Sequence, residues 1–340
     1  MEQQMHAIGF RQYGAADVLE PLRVARPEVT SNSVLLHVAA AGINPADWRI
    51  RQGQFRFLMR SPFPYIPGAD VAGTVVEVGS AVTRFQPGDA VYAMRPTIAG
   101  GGYAEYVAVD AAAVAALPAK LSFVEAAAVP LAALTALQAL RDKAQLQPNM
   151  HLLINGASGG VGTFAVQIAK AMGARVTAVC SGRNADLVRS LGADAVHDYT
   201  REDITHGTDR YDRVFDAIGH YPFLKWRRVL VPQGKLVSVH PLVGNPISQV
   251  LARLSGRRLA SVIVQPSGTD LETLAGWMNA GQVRPVIDQV YPLAEAAAAH
   301  RYSETQRARG KLVLVVDADA APATLDAQTE AYVPAATVQP

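Results

Sequence analysis

The sequence predicts an α/β fold in two parts: a β-rich first third, then a doubly wound parallel sheet of six strands. The chain has 340 residues, more than one hydrophobic core usually organises. Short β-branched runs with glycine breaks dominate the chain before Ser122. From His151 onward, apolar strand-like runs alternate with helix-like stretches, which is typical of a parallel sheet with helical crossovers.

The β-rich part is predicted from short strands with turn residues between them. Residues 33–43 (SVLLHVAAAGI) and 71–82 (VAGTVVEVGSAV) are two such strands, and the Pro-Gly-Asp turn at 87–89 separates two more. Strands this close together favour a small barrel or sandwich. Residues 311–316 (KLVLVV) form one further strand near the end of the chain.

A helical region leads into the parallel sheet. Ser122 followed by Glu125 is a capping box, and the Ala/Leu-rich stretch after it is helical until Pro130 divides it in two. The six predicted strands of the sheet are residues 151–155, 175–180, 195–197, 213–216, 235–239 and 259–264.

Composition limits the classes of partner and compartment. Basic residues are scattered and the net charge is only +2, so no nucleic-acid surface is predicted. No apolar run reaches about 18 residues, so no membrane span is expected. The single cysteine, Cys180, makes neither an internal disulfide nor a multi-thiolate zinc site, and the N-terminus lacks the pattern of a signal peptide. A cytoplasmic protein is predicted.

A glycine-rich loop follows the first strand of the parallel sheet. Ala157, Gly159 and Gly162 form the pattern A-x-G-x-x-G at a strand-to-helix junction. Gly159 would let backbone N–H groups approach a pyrophosphate, Gly162 would let the helix pack on the strand, and the Ser158 hydroxyl could bind a phosphate. A P-loop is excluded because no lysine follows Gly162. A dinucleotide site is predicted; a plain strand-to-helix turn is the alternative.

The end of the next strand indicates which dinucleotide binds. NAD sites place an acidic residue there to bind the ribose 2′-hydroxyl. Here residues 178–184 (AVCSGRN) contain no carboxylate and offer Ser181, Arg183 and Asn184 as donors. A guanidinium facing a 2′-phosphate makes charge-assisted hydrogen bonds. NADPH is therefore the predicted cofactor, and the alternative is that Arg183 is simply a solvated residue.

At this point the chain resembles a known family over about residues 6–316. It is similar to the zinc-independent branch of the medium-chain dehydrogenase/reductase superfamily, the quinone oxidoreductase and alkenone (enoyl) reductase-like proteins. The stretches that carry the resemblance are AAGINPADWRIRQG, IPGADVAGTVVEVGSAVTRFQPGDAVYA, GGYAEYVAV, AAAVPLAALTALQAL, the glycine loop, LGADAVHDY and RGKLVLVV.

The resemblance implies a fold and an assembly. A GroES-like catalytic domain would hold residues 1–123 and 267–340, including a C-terminal tail at 317–340. A Rossmann NADP-binding domain would hold residues 124–266, and the active site would be the cleft between the two domains. The resemblance also implies a homodimer paired through the edge strand at residues 259–264, and an apolar edge strand is a liability unless it is paired.

The resemblance also bears on metal and reaction. Asn44 and Ala69 stand where the zinc-dependent relatives have a Cys and a His ligand, so no metal site is predicted. Without a Lewis acid, hydride transfer to a quinone or to the C=C of an α,β-unsaturated carbonyl is easier than alcohol oxidation. A zinc-free NADPH-dependent reductase is predicted. The alternatives are a biosynthetic trans-acting enoyl reductase and a non-catalytic NADPH-binding structural or regulatory protein.

Site residues are carried over by the same resemblance. Asn44 and Thr135 are expected near the nicotinamide and its ribose, and Asn44, Arg49 and Tyr65 are the catalytic candidates. Arg49 stands where the best-known quinone reductases have a Tyr, and it either holds a substrate oxygen or pairs with Asp47. The remaining cofactor residues are Ser158, Gly159, Gly160, Val161, Ser181, Arg183, Tyr199, Ala217 and Lys311.

One apolar run is expected to shape the access to the substrate. Phe55, Phe57, Leu58, Met59 and Phe63 would form an apolar cleft entrance for a quinone, enone or enal. A loop packed on the core is the alternative interpretation of the same run.

Overall fold

The computed structural model describes residues 3–57, 63–219, 221–240 and 246–317. The strands are β1 (Gln4–Gly9), β2 (Glu20–Ala25), β3 (Ser33–Ile43), β4 (Asp70–Val78), β5 (Ala90–Met94), β6 (Tyr106–Asp110), β7 (Val114–Ala116), β8 (His151–Asn155), β9 (Arg175–Cys180), β10 (Ala195–Asp198), β11 (Tyr211–Asp216), β12 (Leu230–Ser238), β13 (Arg258–Ser261), β14 (Ile287–Pro292) and β15 (Lys311–Val315). The helices are α1 (Pro45–Arg51), α2 (Phe123–Ala127), α3 (Pro130–Gln138), α4 (Gly160–Ala171), α5 (Ala185–Ser190), α6 (Phe223–Trp226), α7 (Pro246–Leu254), α8 (Gly268–Asn279) and α9 (Ala296–Glu304).

The first part of the chain forms a mostly antiparallel sheet in the order β14-β15-β3-β4-β5-β7, with β6 also paired to β3. The predicted strand at 33–43 is confirmed as β3, and β4 ends at Val78, four residues before the predicted end. The late strand β15 pairs antiparallel with β3, with Leu312 opposite Ile43. This pairing brings Lys311, the first residue of β15, beside Asn44, the residue that follows β3.

The second sheet is fully parallel, in the order β10-β9-β8-β11-β12-β13. This is the strand order of a Rossmann fold, and the predicted α/β fold class, with a GroES-like part and a parallel Rossmann sheet, is confirmed. The chain leaves β8 toward β9 on one side, while β11 lies on the other. Ligands of such sheets bind where the strand order reverses, at the carboxyl end of β8.

The edge strand β13 is shorter than predicted. It covers Arg258–Ser261, so the predicted extension to residue 264 is wrong. Val262 N still donates to Ser238 O at 3.0 Å, but at Gln265 the partner is Gln138, whose Oε1 accepts from Gln265 N at 2.9 Å and whose Nε2 donates to Gln265 O at 2.9 Å. A side chain from α3 thus replaces the strand partner.

The helices between the two sheets begin as the sequence predicts. Ser122 Oγ accepts from Glu125 N (3.3 Å) while Glu125 Oε2 accepts from Ser122 N (2.9 Å), which is the predicted capping box. α2 ends at Ala127, and α3 begins at Pro130. α3 packs on α4 within the largest hydrophobic core. The domain boundaries at 123/124 and 266/267 stay predictions, and residues 318–340 of the predicted tail lie outside the described residues.

Candidate active site and cofactor cleft

The glycine loop connects β8 to α4. Gly156 has a φ of +79°, a left-handed conformation that favours glycine. A methyl group on Gly162 would lie 2.1 Å from Gly156 O, so only glycine lets α4 lie this close to the loop. A methyl group on Gly159 would approach only Gly156 O, at 3.5 Å, so the space above Gly159 is open. The loop therefore has the open concave surface that a pyrophosphate needs.

The start of α4 supplies hydrogen-bond donors at this surface. The first bond of the helix runs from Thr163 N to Gly159 O at 2.9 Å. The N–H groups of Gly160, Val161 and Gly162 therefore belong to the first turn, whose donors have no partner within the helix. The helix dipole adds partial positive charge at the same place. Gly160 and Val161 thus lie where a cofactor diphosphate would be bound through the backbone.

A cleft of about 640 Å³ extends from the loop across the carboxyl ends of β8, β9 and β10. It brings together five of the predicted cofactor residues: Ser158, Gly159, Ser181, Arg183 and Tyr199. Asn184 lines it too, and its Nδ2 donates to Ser158 Oγ at 3.0 Å. The cleft is thus lined by the side chains expected around the adenosine end of the cofactor.

Several residues that line the cleft were missed in the sequence analysis. Gln306, Arg307 and Ala308 line the cleft from the segment between α9 and β15. The basic residues Arg307 and Arg309 are a sequence signal for a phosphate ligand. Their spacing in the sequence does not show that this segment lies at the cleft. The Glu202 carboxylate also lines the cleft and pairs with His197 Nδ1 at 2.7 Å.

The segment before β15 is joined directly to the glycine loop. Gly310 N donates to Ser158 O at 3.0 Å, a bond between main chains. The Arg309 guanidinium donates to Asn184 Oδ1 (2.7 Å) and to Arg183 O (2.9 Å). The β-rich part of the protein is thereby fixed to the cofactor loop on the side of the adenosine end.

Ala217 lies beside the loop at the end of β11. Its N–H donates to Asn155 O at 3.1 Å, and its Cβ would lie 3.8 Å from a methyl group on Gly156. The preceding residue, Asp216, is fully buried and accepts from Ile218 N (3.1 Å) and Gly219 N (2.9 Å). Ala217 is therefore close to the predicted diphosphate position without lining the cleft.

A buried polar cluster surrounds Asn44, between β3 and α1. The Lys311 ammonium donates to Ile43 O (3.0 Å) and to Asn44 Oδ1, and it lies 3.3 Å from Asp70 Oδ2. Asn44 Nδ2 donates to the same Asp70 oxygen at 2.9 Å. All three side chains are at most 4% exposed. Burial raises the pKa of the Asp70 carboxyl, and the charge of Lys311 opposes this rise.

Lys311 is held by the protein rather than directed into the cleft. A methyl group on Gly160 would lie 3.0 Å from Lys311 Cδ, so the alkyl chain of the lysine passes the first turn of α4. The ammonium then reaches Asn44. Lys311 therefore spans the distance between the glycine loop and the predicted nicotinamide residue Asn44.

A second buried cluster lies next to the first. Asp47 accepts from Asn44 N (2.7 Å) and Gly68 N (3.2 Å), and Tyr103 OH donates to it at 3.4 Å. The Tyr103 hydroxyl also lies 3.1 Å from His300 Nε2. Burial raises the pKa of Asp47 to about 7 and lowers that of His300 to about 3. The two clusters meet at Asn44, whose side chain belongs to the first cluster and whose N–H belongs to the second.

The other two catalytic candidates, Tyr65 and Arg49, lie outside these two clusters. Tyr65 is buried, its hydroxyl lies 3.3 Å and 3.4 Å from the carbonyl oxygens of Ile98 and Thr97, and burial raises its pKa. Arg49 is exposed on α1, with its guanidinium carbon 5.2 Å from the centre of the Trp48 ring. The proposed Arg49–Asp47 pair is not formed, because Asp47 points to backbone donors instead.

Thr135 and the predicted apolar entrance lie in different surroundings. Thr135 Oγ1 donates to Leu131 O (2.7 Å) within α3 and is buried. Phe57 is 87% exposed, while Phe55 packs against a small cluster that includes Phe10 and Ile50. Phe63 makes ring contacts with Tyr13 (5.1 Å) and Phe10 (5.8 Å). Leu58 and Met59 lie outside the described residues.

Within residues 3–57, 63–219, 221–240 and 246–317, no group of three or more His, Cys, Asp or Glu side chains is arranged to hold a metal ion. No helix in the described part of the chain is long and apolar enough to cross a membrane.

Comparison with known proteins gives the family. Residues 30–119 match the family model for the alcohol dehydrogenase GroES-like domain, and residues 191–314 match the model named zinc-binding dehydrogenase. The chain is 37% identical to the chloroplast envelope quinone oxidoreductase homolog of Arabidopsis thaliana over 91% of this chain and 98% of that protein. It is 38% identical to the chloroplastic NADPH-dependent alkenal/one oxidoreductase of the same plant, over 92% of this chain and 79% of the other.

A solved structure agrees with these relatives. The quinone oxidoreductase from Coxiella burnetii superposes with a TM-score of 0.87 at 33% identity, over 93% of this chain and all of that chain. With the GroES-like sheet, the Rossmann strand order and the glycine loop all present, the chain belongs to the medium-chain dehydrogenase/reductase superfamily of NAD(P)-dependent oxidoreductases, among the quinone oxidoreductases and alkenal/one reductases.

Proposed function

We propose that the protein is a zinc-free reductase that transfers hydride from NADPH to a quinone or to the C=C of an α,β-unsaturated carbonyl. One observation carries this proposal: the Asn44 amide is fixed by Lys311 and Asp70 at the position where zinc-dependent relatives have a cysteine ligand. Lys311 itself runs beside the first turn of α4, at the glycine loop. Cofactor loop and reaction site are thereby joined by one side chain.

The cofactor is proposed to be NADPH because of the donors at its adenosine end. Ser181, Arg183, Tyr199 and Arg307 line one cleft, and the carboxylate that binds a ribose 2′-hydroxyl in NAD sites is missing at the end of β9. The Glu202 carboxylate lies in the same cleft but is paired with His197. The guanidinium groups of Arg183 and Arg307 are therefore the proposed ligands of a 2′-phosphate.

The chemistry follows from what the bound groups supply. NADPH supplies the hydride when bound. The negative charge that then develops on the substrate oxygen needs hydrogen-bond donors, and the Asn44 amide is the candidate donor held most firmly in place. Arg49 is exposed and Tyr65 already faces two backbone carbonyls, so water is the proposed source of the proton.

The absence of zinc is part of the proposal. Asn44 Oδ1 accepts from the Lys311 ammonium, and Ala69 carries no ligand atom. A zinc site needs three or more convergent N, S or O ligands. Metal analysis of the purified protein should therefore find far less than one zinc per chain.

Assembly and location are further parts of the proposal. We propose a homodimer that pairs through β13, because this edge strand has β12 on one side only and Ile263 just beyond it is 70% exposed. A cytoplasmic location remains proposed from the single cysteine, while the two plant relatives are named as chloroplast proteins.

An acceptor panel tests the proposed function. Loss of NADPH absorbance should be followed with quinones, enals, enones and enoyl thioesters, each against a reaction without enzyme. Turnover of quinones or enones supports the proposal, and turnover of enoyl thioesters alone would favour the biosynthetic enoyl reductase. NADPH binding without turnover of any acceptor would favour a binding protein.

A further inference from the structure

We infer that Asp70 is a positioning residue of this reaction: its carboxylate, together with Lys311, fixes the Asn44 amide in one orientation and links it to the start of α3. The inference rests on the proposed function, in which the Asn44 amide contacts the substrate oxygen. Asp70 itself is fully buried, with its carboxylate bound by Asn44, Leu131 and Lys311, and therefore acts through Asn44.

The partners of Asn44 allow only one orientation of its amide. An ammonium donates hydrogen bonds and never accepts them, whereas a carboxylate only accepts. Oδ1 must therefore face Lys311 and Nδ2 must face Asp70, as observed. A flipped amide would set donor against donor and acceptor against acceptor in a buried place, where unmet hydrogen bonds are costly.

This orientation leaves one N–H of Asn44 available. The Nδ2 atom carries two hydrogens and makes one hydrogen bond to the described residues, the one to Asp70 Oδ2. The second N–H is the donor that the proposed reaction needs. Its direction is set by the Asp70 bond, because both hydrogens of an amide lie in one plane.

The other oxygen of Asp70 reaches the helix that carries Thr135. Oδ1 accepts from Leu131 N, in the first turn of α3, at 2.8 Å. Thr135 lies one turn later and bonds to Leu131 O at 2.7 Å. A single carboxylate therefore fixes Asn44 relative to a helix on the cofactor side of the molecule.

Close packing keeps the Asp70 carboxylate where it is. A methyl group on Gly42 would lie 3.1 Å from Asp70 Oδ2 and 2.3 Å from Ala127 O. The strand β3, the helix α2 and the Asp70 carboxylate are thus in close contact at Gly42. A side chain at position 42 would therefore have to displace the Asp70 carboxylate or the backbone of α2.

A double-mutant cycle tests whether Asp70 acts through Asn44. Asp70→Asn, Asn44→Ala and the double variant would be compared by kcat with the best acceptor of the panel and by the Kd of NADPH. We expect Asp70→Asn to lower kcat about tenfold in the wild-type background and less than about twofold in the Asn44→Ala background. The Kd of NADPH should stay within about threefold throughout.

Controls separate positioning from general loss of stability. Asp270→Asn removes another buried carboxylate, one bound by Gln138 and Arg141 away from Asn44, and should leave kcat unchanged. Asp70→Asn combined with Lys311→Met leaves no unpaired buried charge, so it keeps the test possible if Asp70→Asn alone does not fold. Because Lys311 also holds Asn44, this double variant is compared with Lys311→Met alone, and it should be folded and have the lower kcat of the two.

Several outcomes would overturn the inference. Losses in kcat that multiply in the double variant would show that Asp70 acts independently of Asn44, and a fully active Asn44→Ala variant would remove the residue through which it acts. A crystal structure of the Asp70→Asn variant gives a readout without activity. We expect a rotated or displaced Asn44 amide, and an unmoved amide contradicts the inference. A wild-type enzyme with no turnover refutes the proposed function instead, and this structure still decides the inference.

Discussion

Gly162 and Gly156 are packed so closely that a methyl group on the first would lie 2.1 Å from the carbonyl oxygen of the second. The same group on Gly159 would stay 3.5 Å from that oxygen. Gly162 and Gly159, two glycines of the same motif, therefore serve different purposes. Gly162 lets the helix pack on the loop, and Gly159 keeps room for a ligand.

A matched pair of alanine variants tests this division. Gly162→Ala should lower the free energy of unfolding by about 1–3 kcal/mol, the usual cost of overpacking. Gly159 has a φ of −84°, which alanine adopts freely, so Gly159→Ala should change stability by less than about 1 kcal/mol while raising the Kd of NADPH about tenfold or more. Urea denaturation and fluorescence titration measure the two effects. Equal loss of stability in both variants would refute the division.

We predict that Arg183 sets a preference for NADPH over NADH. Loss of a charge-assisted hydrogen bond costs about 1.5–3 kcal/mol, so Arg183→Ala should raise the Kd of NADPH about 10- to 100-fold and that of NADH less than about threefold. Arg189→Ala is the control, since Arg189 is exposed and pairs with Asp186 at 2.9 Å outside the cleft lining. Wild-type protein that binds both cofactors equally would contradict the assignment.

The buried Asp47 makes stability depend on pH. Its pKa is raised from 3.8 to about 7 by burial, so between these values the folded chain keeps a proton that the unfolded chain has lost. The contribution of Asp47 to the free energy of unfolding is therefore fully present below about pH 4 and is lost as the pH rises to about 7.

Asp47→Asn isolates this contribution. The free energy of unfolding of the wild type minus that of the variant should fall between pH 4 and pH 7 and stay constant above it. His300, with its pKa lowered from 6.5 to about 3, acts in the opposite direction as the pH falls, but it is present in both proteins. A difference that rises with pH would show that Asp47 is ionised in the folded protein.

Two ion pairs of different burial predict different costs. The Arg51 side chain is fully buried where it meets Glu304, whereas Arg84 and Glu272 are 48% and 50% exposed. Among the described residues, Glu304→Ala leaves the buried guanidinium with one hydrogen bond, from its Nη1 to Gly14 O, and it should cost about 2–4 kcal/mol of stability. Glu272→Ala should cost less than about 1 kcal/mol. Similar losses in the two variants, measured by urea denaturation, would refute the role of burial.

The proposed dimer can be dissociated at its edge. Ile263→Glu puts a charge beside β13 and should convert a dimer to monomers, as measured by light scattering after gel filtration. Ile98→Glu, on the β-rich part, is the control, because Ile98 is also exposed (47%) but is remote in sequence from the edge strand. A wild-type monomer, or a variant that stays dimeric, would contradict pairing through this edge.

The sequence predicted what local patterns encode. The six parallel strands, the capping box at Ser122 and the glycine loop all follow from periodicity and residue type, and all are found. The end of β13 did not follow, because Gln138 binds the backbone of Gln265 from a distant helix. A side-chain contact between residues 127 positions apart in the sequence cannot be predicted from the local pattern around either residue.

The sequence predicted several residues that line the candidate cleft and only some of the contacts around Asn44, and the roles of these residues stay predictions. The residues at the ends of β8 and β9 are close in sequence to the glycine loop, so the motif identifies them. Arg307 joins the cleft and Asp70 meets Asn44 only through the pairing of β15 and β4 with β3. No sequence motif marks Asp70 in β4 or Arg307 after α9 as a residue of the site.

The main-chain bond from Gly310 to Ser158 has a mechanical consequence. The bond involves no side-chain atom of either residue, and the Arg309 guanidinium reinforces it at Asn184. The two halves of the molecule are therefore joined at this end of the cleft through main-chain atoms, whereas near Asn44 they are joined through the Asp70 side chain, which accepts from Leu131 N at 2.8 Å. A change of one side chain can therefore loosen the second junction and leave the first in place.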